Sequence, residues 1–269
     1  MKKDIDLSII LPTFNEEKNI SYLIPKINLE FQNIGYVNFE ILVVDDNSTD
    51  NTRAVVNQYI DSFSNVKLIC RDMDASLPLS IYEGLQNADK NNIMWLDSDG
   101  SMDIESMKKL INEHINSINT VFIGSRFVNG GGYKGKSEFS KESSLLNVMT
   151  NLSGSEDSIT ATFLSLCFNK ILSRYLKVNV KDLTSGFIIG NKKYFNKSMF
   201  SDCVYGEYFI KVVAGLYLQK INIVEVGYFC KPRMFGSSKT STNILRLVSL
   251  SKPYFQVAYK SKILILDSI

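Results

Sequence analysis

Histidine, cysteine, one-sided charge and long apolar runs are all scarce in this 269-residue chain. Its one histidine, His114, would have to carry any zinc hydrolase or Ser-His-Asp mechanism alone. It lies in a polar helical stretch, KKLINEHINSIN, and is expected to be a solvated surface group. The four cysteines, Cys70, Cys167, Cys203 and Cys230, match neither a zinc pattern nor a CxxC redox pair, and three of them are expected as buried thiols. Basic and acidic residues number 30 and 28, a net charge of +2, which makes no electrostatic case for nucleic acid. The uncharged stretch over 158–169, SITATFLSLCFN, falls short of the ~20 residues needed to cross a bilayer. Asp4, Asp6 and Pro12 break what could imitate a signal peptide. The expectation is a cytoplasmic protein with no transmembrane span and at most peripheral contact with the membrane. Phosphate-binding glycine loops are missing too: the first apolar run leads into PTFNEE, neither GxGxxG nor GxxxxGK[ST].

What is present is alternation. Leu7–Leu11, Phe39–Val44, Val66–Cys70, Ile93–Leu96 and Val121–Gly124 are short, continuous apolar runs, as in strands covered on both faces. Between the first two, Ile20, Leu23, Ile24, Ile27 and Phe31 follow the i, i+3, i+4, i+7 spacing of an amphipathic helix, with Pro25 placed to kink it or remove a hydrogen bond. Further helices are expected from Asp50, capped by Asp50 or Thr49, and over Ser76–Asp89 and Asp103–Asn116. Strand–helix alternation of this kind predicts an α/β fold with a mainly parallel central sheet flanked by helices. The second half is less regular. Residues 129–158 read as a long polar loop, followed by a helix near 159–176, a strand at Gly186–Gly190, a helix near 205–219 and a strand at Ile221–Val226. The tail from Thr240 reads as helical and interrupted by Pro253.

Ligands of open α/β sheets bind outside the carboxyl ends of the strands. There this chain carries Pro12-Thr13-Phe14-Asn15-Glu16, Asp45-Asp46, Arg71-Asp72, Asp97-Ser98-Asp99 and Ser125-Arg126. Two carboxylates ~5 Å apart repel by roughly 3 kcal/mol at an effective dielectric of ~20, so such a group needs a cation or hydrogen-bond donors. Asp97 and Asp99, at i and i+2 after a strand, suit a hard Mg²⁺ or Mn²⁺ completed by substrate phosphates. Asp50 and Asp103 are better explained as helix caps. Arg126 and the basic run 231–239 (KPRMFGSSK) are the groups able to hold a phosphorylated ligand.

These segments together resemble family-2 glycosyltransferases, most closely the dolichyl- or polyprenyl-phosphate mannosyl- and glucosyltransferase branch. SIILPTFNEEKNI (8–20), ILVVDDNSTDNT (41–52) and WLDSDGS (95–101) resemble its opening turn, its V-D-D-x-S-x-D segment and its D-x-D motif. FIGSRFVNGGG (122–132), DLTSGF (182–187), GEYFIK (206–211), INIVEVGY (221–228) and RMFGSSK (233–239) follow in order. Ser101 stands where the family often has a further Gln ligand, and Gly227 where it has Pro.

The resemblance implies the glycosyltransferase A fold, with a nucleotide-binding, Rossmann-like half over about 1–128, an acceptor half over about 129–240 and a helical tail over 241–269. It implies inverting, metal-dependent transfer of a hexose from GDP-mannose or a UDP-sugar to a polyprenyl phosphate or a glycan hydroxyl, as in cell-surface polysaccharide or glycolipid synthesis. Carried over by position, Pro12, Thr13, Asn15 and Glu16 flank the nucleotide, Asp45 and Asp46 lie at its base or ribose end, and Ser98 lies beside it. Asp97, Asp99 and Ser101 face the metal. Arg126, Arg233, Ser238 and Lys239 neutralise phosphate. Glu207 is the candidate base for a hydroxyl acceptor, with Asp182 second. A homodimer is compatible with this reading. Two other readings stay open: a haloacid-dehalogenase-like phosphatase using Asp97 and Asp99 in LDSDGS, and a nucleotide-binding module without turnover.

Overall fold

The computed structural model describes residues 3–133, 159–236 and 244–267. Its first half alternates as expected: β1 (Lys3–Thr13), α1 (Glu17–Asn33), β2 (Tyr36–Asp45), α2 (Thr52–Ser62), β3 (Val66–Cys70), α3 (Leu77–Asn87), β4 (Asn92–Trp95), α4 (Ile104–Asn116) and β5 (Thr120–Ser125). The second half adds β6 (Gly132–Tyr133), α5 (Ile159–Leu176), β7 (Ile188–Asn191), α6 (Tyr208–Leu218), β8 (Asn222–Gly227), β9 (Phe229–Cys230) and α7 (Ile244–Asp267). Seven strands form one sheet in the order β3-β2-β1-β4-β7-β5-β8. All neighbours run parallel except β7, which is antiparallel to both β4 and β5.

Side chains alternate across each strand, and both faces are apolar. In β1, Leu7, Ile9 and Leu11 pack under α1 and α4, while Ile10 faces the opposite core with α3, α5 and α6. This double burial explains the unbroken apolar runs. Pro25 lies inside α1. Its missing N–H leaves the Ser21 carbonyl free, and that oxygen accepts the Tyr59 hydroxyl at 2.7 Å, so α2 supplies the bond that α1 lacks.

Three local expectations are corrected. His114 is buried, not solvated: with Met107, Leu110 and Ile111 it continues the inward face of α4, and its Nε2 lies 2.9 Å from Asn92 Oδ1. Burial lowers its pKa. Residues 129–158 do not all read as loop: Gly132–Tyr133 pairs in parallel with Phe229–Cys230, and residues 134–158 lie outside the described structure. Pro253 does not end the tail helix. α7 runs through it, with the proline exposed, where water can serve the freed carbonyl, and Val257, Ala258 and Ile265 join the core. Of the cysteines, Cys203 and Cys230 are buried and Cys70 is exposed.

Gly84 in α3 is where the helix meets the sheet most closely: a Cβ there would lie 2.5 Å from Ile10 Cγ2. Helix propensity alone favours Gly→Ala by about 1 kcal/mol, but overpacking costs about 1–3 kcal/mol. Gly84→Ala is therefore expected to lower stability in a urea titration, opposite to the propensity trend.

Candidate active site

The strand order turns back on either side of β1, and the crevice opens there, at the carboxyl ends of β2, β1 and β4. Thr13 pairs with Asp45 on one side. On the other, Ser98 Oγ donates to the Pro12 carbonyl at 2.8 Å and lies 3.4 Å from Thr13 Oγ1. Asp45 and Ser98 thus flank Thr13, two strand spacings or roughly 10 Å apart. That separation suits the two ends of one bound nucleotide.

The loops above these strands are tied to each other. Asn15 takes a left-handed conformation, φ 55°, which asparagine tolerates. Its Oδ1 accepts from the Thr49 amide at 2.8 Å, and its own amide donates to Ser48 Oγ at 2.9 Å. The Glu16 and Glu17 amides donate to Thr52 Oγ1 and Asp50 Oδ2. Asp103 caps α4 through the Ser106 amide, as expected, whereas Asp50 is not the cap of α2: Asn51 holds that position without a side-chain bond, and Asp50, one residue earlier, accepts from the Thr52 amide. Asn15 therefore shapes the crevice wall, with its side-chain oxygen spent on the neighbouring loop.

The acidic residues divide into spent and unspent groups. Both Asp46 oxygens are engaged, one by Arg71 and one by the Ser76 amide, which pins the turn into α3. Asp182 is fully buried and grips Arg126 at both ends, with Nε at 2.8 Å and Nη2 at 2.7 Å, and takes the Arg126 amide as well. Arg126 thus reaches the crevice through its field, its guanidinium being held on Asp182 and Thr184. Glu207 precedes α6 and accepts from the Val204 and Tyr205 amides at 2.8 and 3.1 Å, which fixes its carboxylate against the turn.

Asp45 differs. One oxygen accepts from Arg53 Nε at 2.6 Å and the Ser48 amide, but Oδ1 is buried with no hydrogen-bond partner among the described residues. Asp97 also lacks compensation. Burial first, and then the charge of Asp99, pushes its carboxyl up to about 7, with Arg233 and Arg126 opposing only in part.

Arg233 is delivered by the segment after β9, which is strapped to the D-x-D loop. The Lys231 amide donates to the Ser101 carbonyl and the Met234 amide to the Asp99 carbonyl. Arg233 Nε then lies 3.1 Å from Asp99 Oδ2 and Nη1 3.9 Å from Glu16. Gly100, at φ +76°, lies under Met234, which leaves no room for a Cβ. Ser238 and Lys239 lie outside the described residues.

Among the described residues no group of three or more His, Cys, Asp or Glu side chains could hold a metal ion. Asp97 and Asp99 remain as a pair. The pair fits Mg²⁺ or Mn²⁺, which use one or two carboxylates plus water and substrate phosphate, and the unneutralised charge on Asp97 is what such an ion would answer. Ser101 stands beside the pair, its amide donating to Asp99 Oδ1 at 2.9 Å.

Sequence reasoning missed several residues here. Arg53 and Asp72 form an ion-pair chain onto Asp45, legible only in that α2 begins so soon after β2. Tyr205 lies in the field of Asp97, Arg233, Asp99 and Glu16. Tyr208 accepts from Trp95 Nε1 at 3.0 Å, and Tyr254 of α7 reaches over Gly206. Glu225 accepts from the Lys181 and Asp182 amides and so orients Asp182.

Residues 8–199 match the profile of Glycosyl transferase family 2. A dolichol-phosphate mannosyltransferase of Pyrococcus furiosus is 35% identical over 125 residues, covering 46% of this chain and 34% of that protein. A dolichyl-phosphate beta-glucosyltransferase, ALG5D, of Trichomonas vaginalis is 30% identical over 136 residues, covering 48% of this chain and 42% of that protein. The matched regions thus span about a third to two-fifths of those relatives. Glucosyl-3-phosphoglycerate synthase of Mycobacterium tuberculosis, solved with Mn²⁺, UDP and glucosyl-3-phosphoglycerate, shares the fold: the TM-score is 0.62 at 14% identity, covering 95% of this chain and 79% of that one. The fold is the glycosyltransferase A fold. The dehalogenase-like phosphatase reading is set aside, because the match is to family 2 and LDSDGS follows β4, not the first strand.

In metal-free protein the raised pKa of Asp97 penalises its ionised form. The stability this carboxyl contributes is complete below its ordinary value of 3.8 and lost as pH rises toward about 7. Asp97→Asn is therefore expected to be more stable than the parent at about pH 8 and to converge with it near pH 4, followed by denaturant melts in EDTA. Parallel pH curves for the two proteins would refute the assignment.

Proposed function

The chain belongs to glycosyl transferase family 2, and we propose that it moves a hexose from a nucleotide diphosphate sugar to an acceptor oxygen with inversion at the anomeric carbon. The observation that carries this reading is the insufficiently neutralised Asp97–Asp99 pair at the end of β4, one strand beyond Thr13 from the buried open oxygen of Asp45. An acidic site of this kind selects a ligand that brings a cation to one end and an N–H or O–H donor to the other. A nucleotide diphosphate with Mg²⁺ or Mn²⁺ meets both demands.

In this reading Asp45 Oδ1 accepts from the base or ribose, while Pro12, Thr13 and the Asn15 turn form the wall of the nucleotide site. Asp97 and Asp99, flanked by Ser101, would hold the dication, whose chemistry is to offset the charge gathering on the departing diphosphate. Arg233 already touches Asp99, so a small side-chain movement brings its guanidinium to a β-phosphate. Arg126 adds a fixed positive field from its seat on Asp182. Ser238 and Lys239 are assigned to phosphate from the sequence pattern alone.

The acceptor oxygen forms its bond to the anomeric carbon as the bond to the diphosphate oxygen breaks. A lipid phosphate attacks as an anion and needs no base; a sugar hydroxyl must lose a proton, and the sequence pattern assigns that role to Glu207. The two dolichol-phosphate relatives favour a lipid phosphate acceptor, and the neighbour solved with UDP and Mn²⁺ favours a manganese-dependent UDP-sugar donor. The module without turnover is the second reading, favoured by Ser101 standing where the family often has Gln.

A panel of nucleotide diphosphates and sugar nucleotides, with and without Mn²⁺, is expected to raise the melting temperature for one base only. A ligand at 100 times its Kd adds ~2.7 kcal/mol. Asp99→Ala should abolish release of the nucleotide diphosphate while the protein stays folded by circular dichroism; unchanged release would discard the reading. Stabilisation without consumption of any sugar nucleotide would favour the second. Glu207→Gln separates the acceptors: transfer to a hydroxyl should fall about 10²-fold or more, whereas transfer to a lipid phosphate should be nearly unaffected.

A further inference from the structure

Helices α5 and α7 carry a surface that the catalytic reading does not use. On α5, Leu164, Phe168, Ile171 and Tyr175 follow i, i+4, i+7, i+11, the spacing of one face. On α7, Phe255, Tyr259, Ile263 and Leu266 follow i, i+4, i+8, i+11, again one face. Apart from Phe168, which is half-buried against the core, these lie off the buried faces of the helices, which point to Leu172, Leu176, Val257, Ala258 and Ile265. Ile171 is 56% exposed, Tyr259 60% and Leu266 54%. The two stripes meet where Phe168 and Phe255 pack edge to face at 5.3 Å. Beside that contact lies an apolar hollow of about 300 Å³ lined by Ile171, Leu172, Tyr175, Phe255 and Tyr259. A continuous exposed apolar ridge of this kind marks an interaction surface.

Charge identifies what it fits. α5 has no acidic residue and carries Lys170 and Arg174, both exposed. α7 carries Lys252, Lys260 and Lys262 against one acid, Asp267, at its far end. The chain as a whole is nearly neutral, so this basic excess is local. Apolar side chains with lysine and arginine along their edges match an anionic bilayer surface, where rings and aliphatic chains enter the headgroup boundary and the cations meet lipid phosphate. A second copy of this face would instead bring like charges together.

We propose that the α5–α7 face docks the protein onto an anionic lipid bilayer. Docking there places the bilayer next to the Glu207 end of the crevice, because Tyr254, adjacent to Phe255, lies with its hydroxyl 2.5 Å from where a Cβ on Gly206 would stand. No described helix is long and apolar enough to cross a membrane. The inference needs no catalytic turnover and stands apart from the glycosyl-transfer reading.

The test is co-sedimentation of the full chain with vesicles of phosphatidylcholine alone or with about one-third phosphatidylglycerol, at low and high salt. Binding is expected to the mixed vesicles, to weaken with salt and to be at least about tenfold weaker to pure phosphatidylcholine. Phe255→Ser with Tyr259→Ser, and separately Lys252→Glu with Lys260→Glu, should each reduce binding about tenfold or more while circular dichroism and thermal melting stay unchanged. These residues are exposed, so the variants are expected to fold. No binding to anionic vesicles, or equal binding by all variants, overturns the proposal. So does a lipid-free dimer in light scattering that the Phe255→Ser, Tyr259→Ser variant dissolves, which would assign the face to a second copy.

Discussion

Mutual repulsion between Asp97 and Asp99 is the constraint around which the crevice is arranged. Two carboxylates leave one strand two residues apart in a partly dry site, where burial alone already disfavours the charge of Asp97. Arg233 is brought against Asp99 by a segment that is itself hydrogen-bonded to the D-x-D loop, so the cation arrives with its own strap. The nearby Arg126–Asp182 pair is internally neutral yet still orients positive potential toward Asp97.

A second principle is that most polar groups near the crevice are already committed. Asn15, Ser98, Asp46 and Asp182 each bond to backbone or to a neighbouring loop, and the geometry of the walls depends on them. Among the described residues, Asn19 Oδ1 and Ser76 Oγ are also buried without a partner, but the two acids that stand out flank Thr13: Asp45 through its open Oδ1 on one side, Asp97 on the other. A ligand that completed both would be held at two ends without reorganising the loops, which is the economical way to position a reacting bond.

The second half of the chain answers to different physics. Its α5 and α7 turn one face to the sheet and leave another apolar and basic, and the aromatic pair of Phe168 and Tyr254 links that outer face to the turn carrying Glu207. An acceptor delivered from a lipid surface would therefore reach the crevice from the side opposite Asp45.

Much of this was legible in the amino-acid order, because it depends on local chemistry. Unbroken apolar runs at β1, β2 and β4 announced a doubly covered sheet, and carboxylates after those runs announced the crevice, since residues at strand ends have few places to go. Asp103 declared itself as a cap by position, whereas Asp50 lies one residue before the Asn51 cap of α2. His114 was misread through its polar neighbours, although its spacing from Leu110 and Ile111 already put it on the inward face. What sequence could not state was pairing across distance: the antiparallel insertion of β7, the capture of Arg126 by Asp182 fifty-six residues later, the Tyr59 bond that excuses Pro25, and the spent oxygens of Asp46. Those follow from which strands become neighbours, a choice made by burial of the whole sheet. Residue type and spacing determined which chemistry was available, and tertiary packing decided which of those groups remained unsatisfied and so able to act.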